Sequence, residues 1–335
     1  MSAAAPGGPS GKTSEAPAGA PAAVDAGAAP VTRGASQVAT GPGWRARLGS
    51  PQVAPWVFLS PLLVFGLVFF VLPLGFSLYL AFTRWNPLGT PRFVGWRQFE
   101  YLLTRDERFL ETLANTFVFA FGFVAVGVPL ALGLAFLFSR ARGRAFWRAV
   151  YYLPQVTNIV AIAYLWQFVL DDRHGLVNRA LGAIGVRGPD WLTDPATAMV
   201  SVILVMVWYE LGRSMLVFSA ALEGVDGALY EAAELDGANR FEVFRYITVP
   251  SIRPAIAFVT ITSFITGMGF FTLILAMTGG GPRGSTEVTA LYLYQMAFQD
   301  LRMGRASAAA FLLFLIIGAL TLVQVRAFRD ARDPA

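Results

Sequence analysis

The sequence has no cysteine and a single histidine, His174. Disulfide frameworks, thiolate metal sites and cysteine nucleophiles are therefore excluded, as are histidine-cluster metal centres. Charge is scarce as well. Only 14% of the 335 residues are Asp, Glu, Lys or Arg, against 56% hydrophobic, and the mean hydropathy is +0.56. A water-soluble domain of this length needs far more charge to cover its surface. Lysine is nearly missing: Lys12 is the only one, so the formal net charge of +5 rests on arginine. No stripe of those arginines alternates with aromatics on a polar element, so no nucleic-acid partner is expected.

Long apolar runs are what the sequence has in excess. Six blocks stand out, at about 54–82, 113–138, 149–170, 196–222, 255–277 and 306–325. A helix needs roughly 20 residues to cross a hydrocarbon core roughly 30 Å thick. The expected fold is thus an all-α integral membrane protein with six transmembrane helices. Pro61, Pro73, Pro129 and Pro154 fall inside blocks, which neighbouring helices in a membrane tolerate.

Six spans put both termini on one side, and arginine chooses it. The short loop between blocks two and three carries Arg140, Arg142, Arg144 and Arg148 and no acid. Arg45 and Arg47 precede the first block, and Arg326, Arg329 and Arg332 follow the last. By the positive-inside rule these face the cytoplasm. The opposing loop, Thr83 to Thr112, runs against the rule with Arg84, Arg92, Arg97, Arg105 and Arg108. Its acids, Glu100, Asp106, Glu107 and Glu111, do little to cancel them.

Residues 1–43 are Ala, Gly, Pro and Ser with few large apolar side chains, and are expected to form a disordered cytoplasmic tail. They lack the charged start and apolar core of a signal peptide. Gly7 to Thr13, GGPSGKT, imitates a phosphate-binding loop, but Pro6 stands where the first glycine is required. A transmembrane domain over 44–328 and a cytoplasmic tail over 329–335 complete the expected organisation.

One connector is unlike the others. Residues 223–253 between blocks four and five read EGVDGALYEAAELDGANRFEVFRYITVPSIR. Asp226 is a good N-cap, and Leu229, Ala232, Ala233 and Leu235 follow on helical spacing. Gly237 ends that helix. A second short helix runs from Asn239 to about Thr248 and stops before Pro250. Two helices meeting at a glycine make a compact knob. Ala232 and Ala233 leave room for close docking, with Glu231, Glu234 and Asp236 at the rim. A hairpin lying on the lipid surface is the other reading, but its acids would be repelled by anionic headgroups.

Inside the spans, Glu210 and Arg213 stand out. Charges at membrane depth usually face the bundle interior and mark a pathway, yet at i, i+3 the two can also neutralise each other. Gln155, Asn158 and Gln167 in block three are further polar candidates. Tyr209, Trp208, Phe270 and Phe271 are aromatics that could either pack or line a path for a sugar. The Gly279-Gly280-Gly281-Pro282 run reads as a turn at the outer face.

These residues carry a resemblance. Glu231-Ala232-Ala233, then Gly237, then Ile247, Val249 and Pro250, placed between the fourth and fifth blocks, resemble the EAA loop of importer permeases in the ABC transporter superfamily. Further segments resemble its carbohydrate-uptake branch, in the first-permease type that includes the maltose and glycerol-3-phosphate importers. They are Phe93-Val94-Gly95 with Phe99, Leu113-Ala114-Asn115-Thr116, Leu153-Pro154 with Trp166, and Gly175-Leu176-Val177-Asn178. Thr278-Gly279-Gly280-Gly281-Pro282, with Thr286, Tyr294, Ala297, Phe298, Gly304, Ala306 and Ala308, belongs with them. The resemblance covers about residues 54–328. It departs at Val225-Asp226, where the family has Ile-Pro, and at Arg97 or Gln98, where it has asparagine.

The resemblance implies a permease of a bacterial inner-membrane importer, multi-pass with cytoplasmic termini and no catalysis of its own. ATP and Mg would bind on two separate ATPase subunits, with no cofactor on this chain. A second homologous permease and an extracellular or lipid-anchored solute-binding protein would complete the assembly in the lipid bilayer. Glu231, Ala232, Ala233, Glu234, Asp236, Gly237, Arg240 and Pro250 would form the ATPase-coupling loop. The substrate pathway would draw on Gln155, Asn158, Tyr209, Glu210, Arg213, Phe270 and Phe271. A mono- or oligosaccharide is the implied cargo, with glycerol-3-phosphate or a similar solute as the alternative. A secondary transporter driven by an ion gradient would also explain the hydrophobicity and Glu210, though not the knob.

Overall fold

The computed structural model describes residues 54–139, 141 and 143–330. The expected N-terminal tail, Arg45, Arg47, Arg140, Arg142 and residues 331–335 lie outside the described residues. The chain divides into two units, residues 1–63 and 64–335.

Apolar runs become helices almost throughout. The first run gives α1 (Ala54–Gly66), a π turn over Leu67–Val71, and α2 (Leu72–Ala81). Two-residue strands β1 (Thr83–Arg84) and β2 (Arg92–Phe93) then pair antiparallel, with Thr83 opposite Phe93. Helices α3 (Arg97–Thr104), α4 (Glu107–Ser139), α5 (Arg144–Val156), α6 (Ile159–Val169), α7 (Leu176–Ala183) and α8 (Pro195–Glu223) follow. Next come α9 (Gly227–Leu235), α10 (Arg240–Glu242), a π stretch Val243–Thr248, α11 (Val249–Ser251), α12 (Arg253–Gly269) and α13 (Thr272–Met277). The chain closes with α14 (Thr289–Tyr294), a π stretch Gln295–Gln299, and α15 (Met303–Asp330).

Among the described residues, four helical runs are long and apolar enough to cross a membrane: Pro55–Ala81, Glu107–Ser139, Pro195–Glu223 and Met303–Arg329. A bent pair, Arg240–Ser251 with Arg253–Gly269, makes a fifth when taken as one span. Blocks three and five, expected as continuous helices, are both broken. In block three Pro154 sits near the end of α5, and Asn158 takes an extended backbone with φ −60° and ψ 127°. Its Oδ1 accepts from the N–H of Val160 at 2.8 Å and of Ala161 at 3.4 Å, which starts α6 as a fresh helix. In block five the break follows Gly267 and Gly269, poor helix formers. Phe270 is extended at φ −88°, ψ 132°, and α13 restarts two residues later.

Close approach of backbones holds the helices together. In lipid there is little hydrophobic drive between helices, so small residues that admit a neighbour become the contact points. On α4, Gly122 faces Ile203 and Gly127 faces Val207 of α8. Farther along, Ala131 and Ala135 share a cluster with Leu211, Met215 and Phe218. Both lists ascend together, so α4 and α8 run parallel and their C-terminal ends reach the same face. There Arg148 donates to Glu223 at 2.7 Å, with Arg144 at 3.5 Å. Gly267 of α12 lies against Ala120 of α4, where an added Cβ would come within 3.0 Å of the Ala120 Cα. Gly212 of α8 faces α5, where a Cβ would sit 2.2 Å from the Tyr151 carbonyl oxygen. On the opposite face, Gly304 begins α15 against β1, with the Thr83 carbonyl oxygen 2.0 Å from a built Cβ.

Gly212→Ala and Gly304→Ala each press a methyl group into a backbone carbonyl. Each is expected to lower stability by about 1–3 kcal/mol, read as melting temperature in detergent. Gly133→Ala, in the open side of α4 with nothing within 4 Å, is expected to hold or raise it by up to about 1 kcal/mol.

Candidate functional site

The knob between α8 and α12 is built by local hydrogen bonding. Asp226 Oδ1 accepts from the Ala228 N–H at 3.0 Å and starts α9. At its end Gly237 takes φ +75°, a conformation costly for any residue with a Cβ. Ala238 N–H then reaches back to the Ala233 carbonyl at 2.9 Å. Asn239 opens the second helix with a full capping box. Its side chain accepts from the N–H groups of Phe241 and Glu242 at 3.0 Å, and Glu242 Oε2 accepts from the Asn239 N–H at 2.7 Å.

The second helix is longer than expected. It continues through the π stretch to Ser251, with Pro250 in the first turn of α11, where a missing N–H costs little. The chain turns instead at buried Ile252, by 72°, into α12. A ring contact between Phe136 and Phe244, at 4.9 Å, ties the knob to α4.

Glu231, Ala232, Glu234, Asp236, Gly237 and Arg240 are exposed, as is Pro250, while Ala233 is buried. Leu229 and Leu235, which share helical spacing with the alanines, are both exposed, Leu235 at 89%. Leu235 follows Ala233 by two positions, which on a helix turns it to the far side from that buried residue. Phe241 and Tyr246 are exposed as well, apolar contributors with no motif in the sequence to mark them. A groove of about 650 Å³ between the two helices is lined by Leu229, Ala232, Asp236, Glu242, Tyr246 and Ile247. Bulky apolar side chains and carboxylates thus share one unpartnered surface.

Inside the bundle, Glu210 and Arg213 do pair. Arg213 Nε donates to Glu210 Oε2 at 2.7 Å, and the Glu210 side chain is buried. Gln155 Nε2 reaches Glu210 Oε1 at 3.4 Å, so α5 and α8 meet through this group. The Gln155 carbonyl oxygen is itself buried without a partner. Two polar candidates are occupied by backbone. Asn158 caps α6, and Gln167 donates to the carbonyls of Ala276 and Met277 at 3.1 and 2.7 Å, joining α6 to the end of α13. Tyr209, Phe270 and Phe271 pack against one cluster, built from α4, α6, α8, α13 and α14. Phe271 stacks on Tyr294 at 5.6 Å, and Trp166 meets Trp208 edge-on at 5.4 Å. The break at Phe270 therefore lies among half-buried aromatics.

A latch closes the other end of the bundle. Arg108 at the start of α4 forms two hydrogen bonds with Glu287 and one with Gln295. Asn115 Nδ2 donates to the carbonyls of Gly284 and Glu287, and Thr116 accepts from the Thr289 N–H at 2.8 Å. Tyr292 donates to buried Asp106 at 2.6 Å; burial, reinforced by this bond, holds its hydroxyl protonated well above the usual tyrosine range. The glycine run is a turn, as expected, with Thr286 donating to the Gly281 carbonyl. Asn115 and Thr116, noted only for their resemblance, prove to be the groups that bind this turn to α4.

Residues 127–333 match the family model of the binding-protein-dependent transport system inner membrane component. The chain is 36% identical over 277 residues to the probable ABC transporter permease protein YesP of Bacillus subtilis (strain 168), covering 81% of this chain and 89% of that one. It is 32% identical to the lactose transport system permease protein LacF of Rhizobium radiobacter, over 84% of this chain and 96% of that one. A solved structure of a bacterial ABC transporter involved in import of the acidic polysaccharide alginate superposes with a TM-score of 0.73 at 26% identity. It covers 83% of this chain and 95% of the alginate transporter's. The helical membrane bundle, the knob and the match over most of its length make this chain a member of the binding-protein-dependent transport system inner membrane component family, the permease subunits of ABC transporters.

Proposed function

We propose that this permease works in an ATP-driven importer, carries a neutral mono- or oligosaccharide, and couples to its ATPases through residues 223–253. The observation that carries the reading is the knob itself. It is rigidly capped at Asp226 and Asn239, hinged at Gly237, and presents Leu235, Phe241 and Tyr246 beside Glu231, Glu234 and Asp236. Exposed apolar anchors inside a charged rim are what a protein partner recognises. A hairpin resting on anionic lipid would bring arginines, not carboxylates, to that surface.

On this reading the face holding Ser139, Arg148, Glu223 and the knob is cytoplasmic, and both termini lie on that side of a bacterial inner membrane, with six spans in all. Two ATPase subunits carry ATP and Mg. A second permease and a solute-binding protein complete the complex; the solved bacterial alginate ABC transporter is likewise in complex with an alginate pentasaccharide-bound periplasmic protein. Closure of the ATPases would move the knob, and α12 would pass that motion to the break at Phe270.

Cargo is argued from the path and from the relatives. Relatives named for lactose, multiple sugars and starch degradation products point to carbohydrate. A phosphorylated solute would want a cation in the path, and Arg213 is already paired with Glu210. Tyr209, Phe270 and Phe271 offer aromatic faces, and the unpartnered Gln155 carbonyl oxygen and Trp166 indole N–H offer an acceptor and a donor. Those are the groups that hold a polyol.

Two experiments test the reading. Purification of the tagged chain in mild detergent is expected to bring down a second permease, an ATPase and a binding protein. Glu231→Arg and Gly237→Pro are expected to lose the ATPase selectively and to drop ATP-dependent uptake at least tenfold; an intact complex with either variant would remove the knob from coupling. Glu210→Ala, which strands the part-exposed Arg213, is expected to cost about 1–3 kcal/mol of stability, whereas Glu210→Gln should keep ATP-dependent uptake. Uptake by the chain alone in liposomes, driven by a proton gradient and lost in Glu210→Gln, would support a secondary transporter instead.

A further inference from the structure

The arginines of the Thr83–Thr112 loop, anomalous by charge rule, are not scattered. At the membrane face opposite the knob, two adjoining, partly enclosed pockets of about 210 and 310 Å³ share Arg84, Gln98 and Arg305. Arg302 lines the first, and Arg97 and Arg105 line the second. Glu100 is the one carboxylate residue among the lining groups. Among the described residues, none of the five arginines has a carboxylate within the 4.0 Å of an ion pair. The scaffold beneath them is firm. Buried Gln98 donates to the Thr83 carbonyl at 3.1 Å, and Arg305 lies over the Tyr101 ring at 3.7 Å with its Nε 3.5 Å from Gln98 Oε1. Leu301, at the edge of the first pocket, holds a left-handed φ of +55° in the turn that delivers Arg302. A backbone strained at the rim of a pocket is a common mark of a working site.

Position narrows the ligand. The pocket sits where one apolar span ends, at Ala81, and another begins, at Met303. That is the headgroup level of a bilayer. Directly along the span lies an exposed apolar strip, Leu72, Phe76 and Tyr79, and Phe76 touches Trp85 of the pocket edge-on at 6.1 Å. Exposed Phe93 and Trp96 flank the other side, as aromatics do at a membrane interface. Cations above an apolar strip match a molecule with a phosphate above acyl chains. A protein lobe or a free sugar has no use for the strip.

We propose that this pocket binds the phosphate headgroup of an anionic phospholipid, with its acyl chains along Leu72, Phe76 and Tyr79. Arg84 and Arg302 clamp the phosphate, and Arg305, held by Tyr101 and Gln98, backs them. The site anchors the mouth of the bundle, where β1 meets the start of α15. It does not rest on the proposed transport reading, which decides only that the leaflet is the outer one.

The test is a native mass-spectrometric titration of the full chain in detergent with dioleoyl phosphatidylglycerol or dioleoyl phosphatidylcholine. Wild type is expected to retain phosphatidylglycerol in preference to phosphatidylcholine. A cation near a membrane surface contributes about a fivefold factor, so Arg84→Gln with Arg302→Gln should weaken retention roughly 25-fold. Arg283→Gln, an exposed arginine outside the pocket, should leave it unchanged, and matching gel-filtration profiles establish that the variants fold. Glycerol phosphate without acyl chains should fail to displace the lipid at equal concentration. Equal retention of both lipids, an unaffected double variant, or displacement by glycerol phosphate would each overturn the proposal. So would a double variant that keeps its lipid but loses the binding protein on co-purification, which would make the pocket a protein dock.

Discussion

Every backbone break in a membrane bundle must be paid for by something other than water, and that constraint organises this chain. Where α5 gives way to α6, the Asn158 side chain takes the freed N–H groups. Where the chain enters α8, Asp194 accepts from Ala196 at 3.0 Å. Gln167 spends both of its amide hydrogens on the carbonyls at the end of α13. Asn115 does the same for the turn after the glycine run. These polar residues are few, and nearly all are committed to backbone. Polarity inside such a bundle is therefore weak evidence of a ligand until its partners are counted. Gln155 and Trp166 gain interest because each keeps one buried polar atom without a partner.

The same accounting explains what the sequence did and did not disclose. Apolar blocks one, two, four and six are legible because a predominantly apolar run of about 20 residues or more is long enough to cross a bilayer as one helix. The knob was legible because its signals are local: Asp226, Gly237 and the later proline act within a turn or two of themselves. The breaks in blocks three and five were hidden, since hydropathy averages over a window and does not register one extended residue such as Asn158 or Phe270. Pro250 misled in the opposite direction. A proline there predicts a stop, yet the helix passes through the π stretch before it and turns at Ile252.

Side-chain pairings were legible only where sequence separation was small. Glu210 and Arg213 sit one turn apart, and their pairing was one of two readings left open until the geometry closed it. Arg108 and Glu287 are far apart in sequence, and nothing local joins them. Close approach of helices was invisible for the same reason. Gly212 resembles any other glycine in the sequence and Gly304 is marked there by resemblance alone; the carbonyl of Tyr151 or Thr83 beside each is what leaves no room for a side chain.

These contacts also bear on how motion could pass through the bundle. The knob has both of its helices held by local caps, at Asp226 and at Asn239. It joins α12 through buried Ile252, which packs in the same cluster as Val128, Ala131 and Leu222. Farther up, α12 is pinned to α4 by Gly267 against Ala120, just before the break at Phe270. A displacement entering at the knob passes the turn at Ile252 and then meets a fixed point about three residues before the interruption at Phe270. Bending there costs no further backbone hydrogen bond, whereas bending anywhere within α12 would. On the proposed reading the gate belongs at Phe270 and Phe271, because beyond the packed turn at Ile252 this is the break in the helix that lies among the half-buried aromatics of the path.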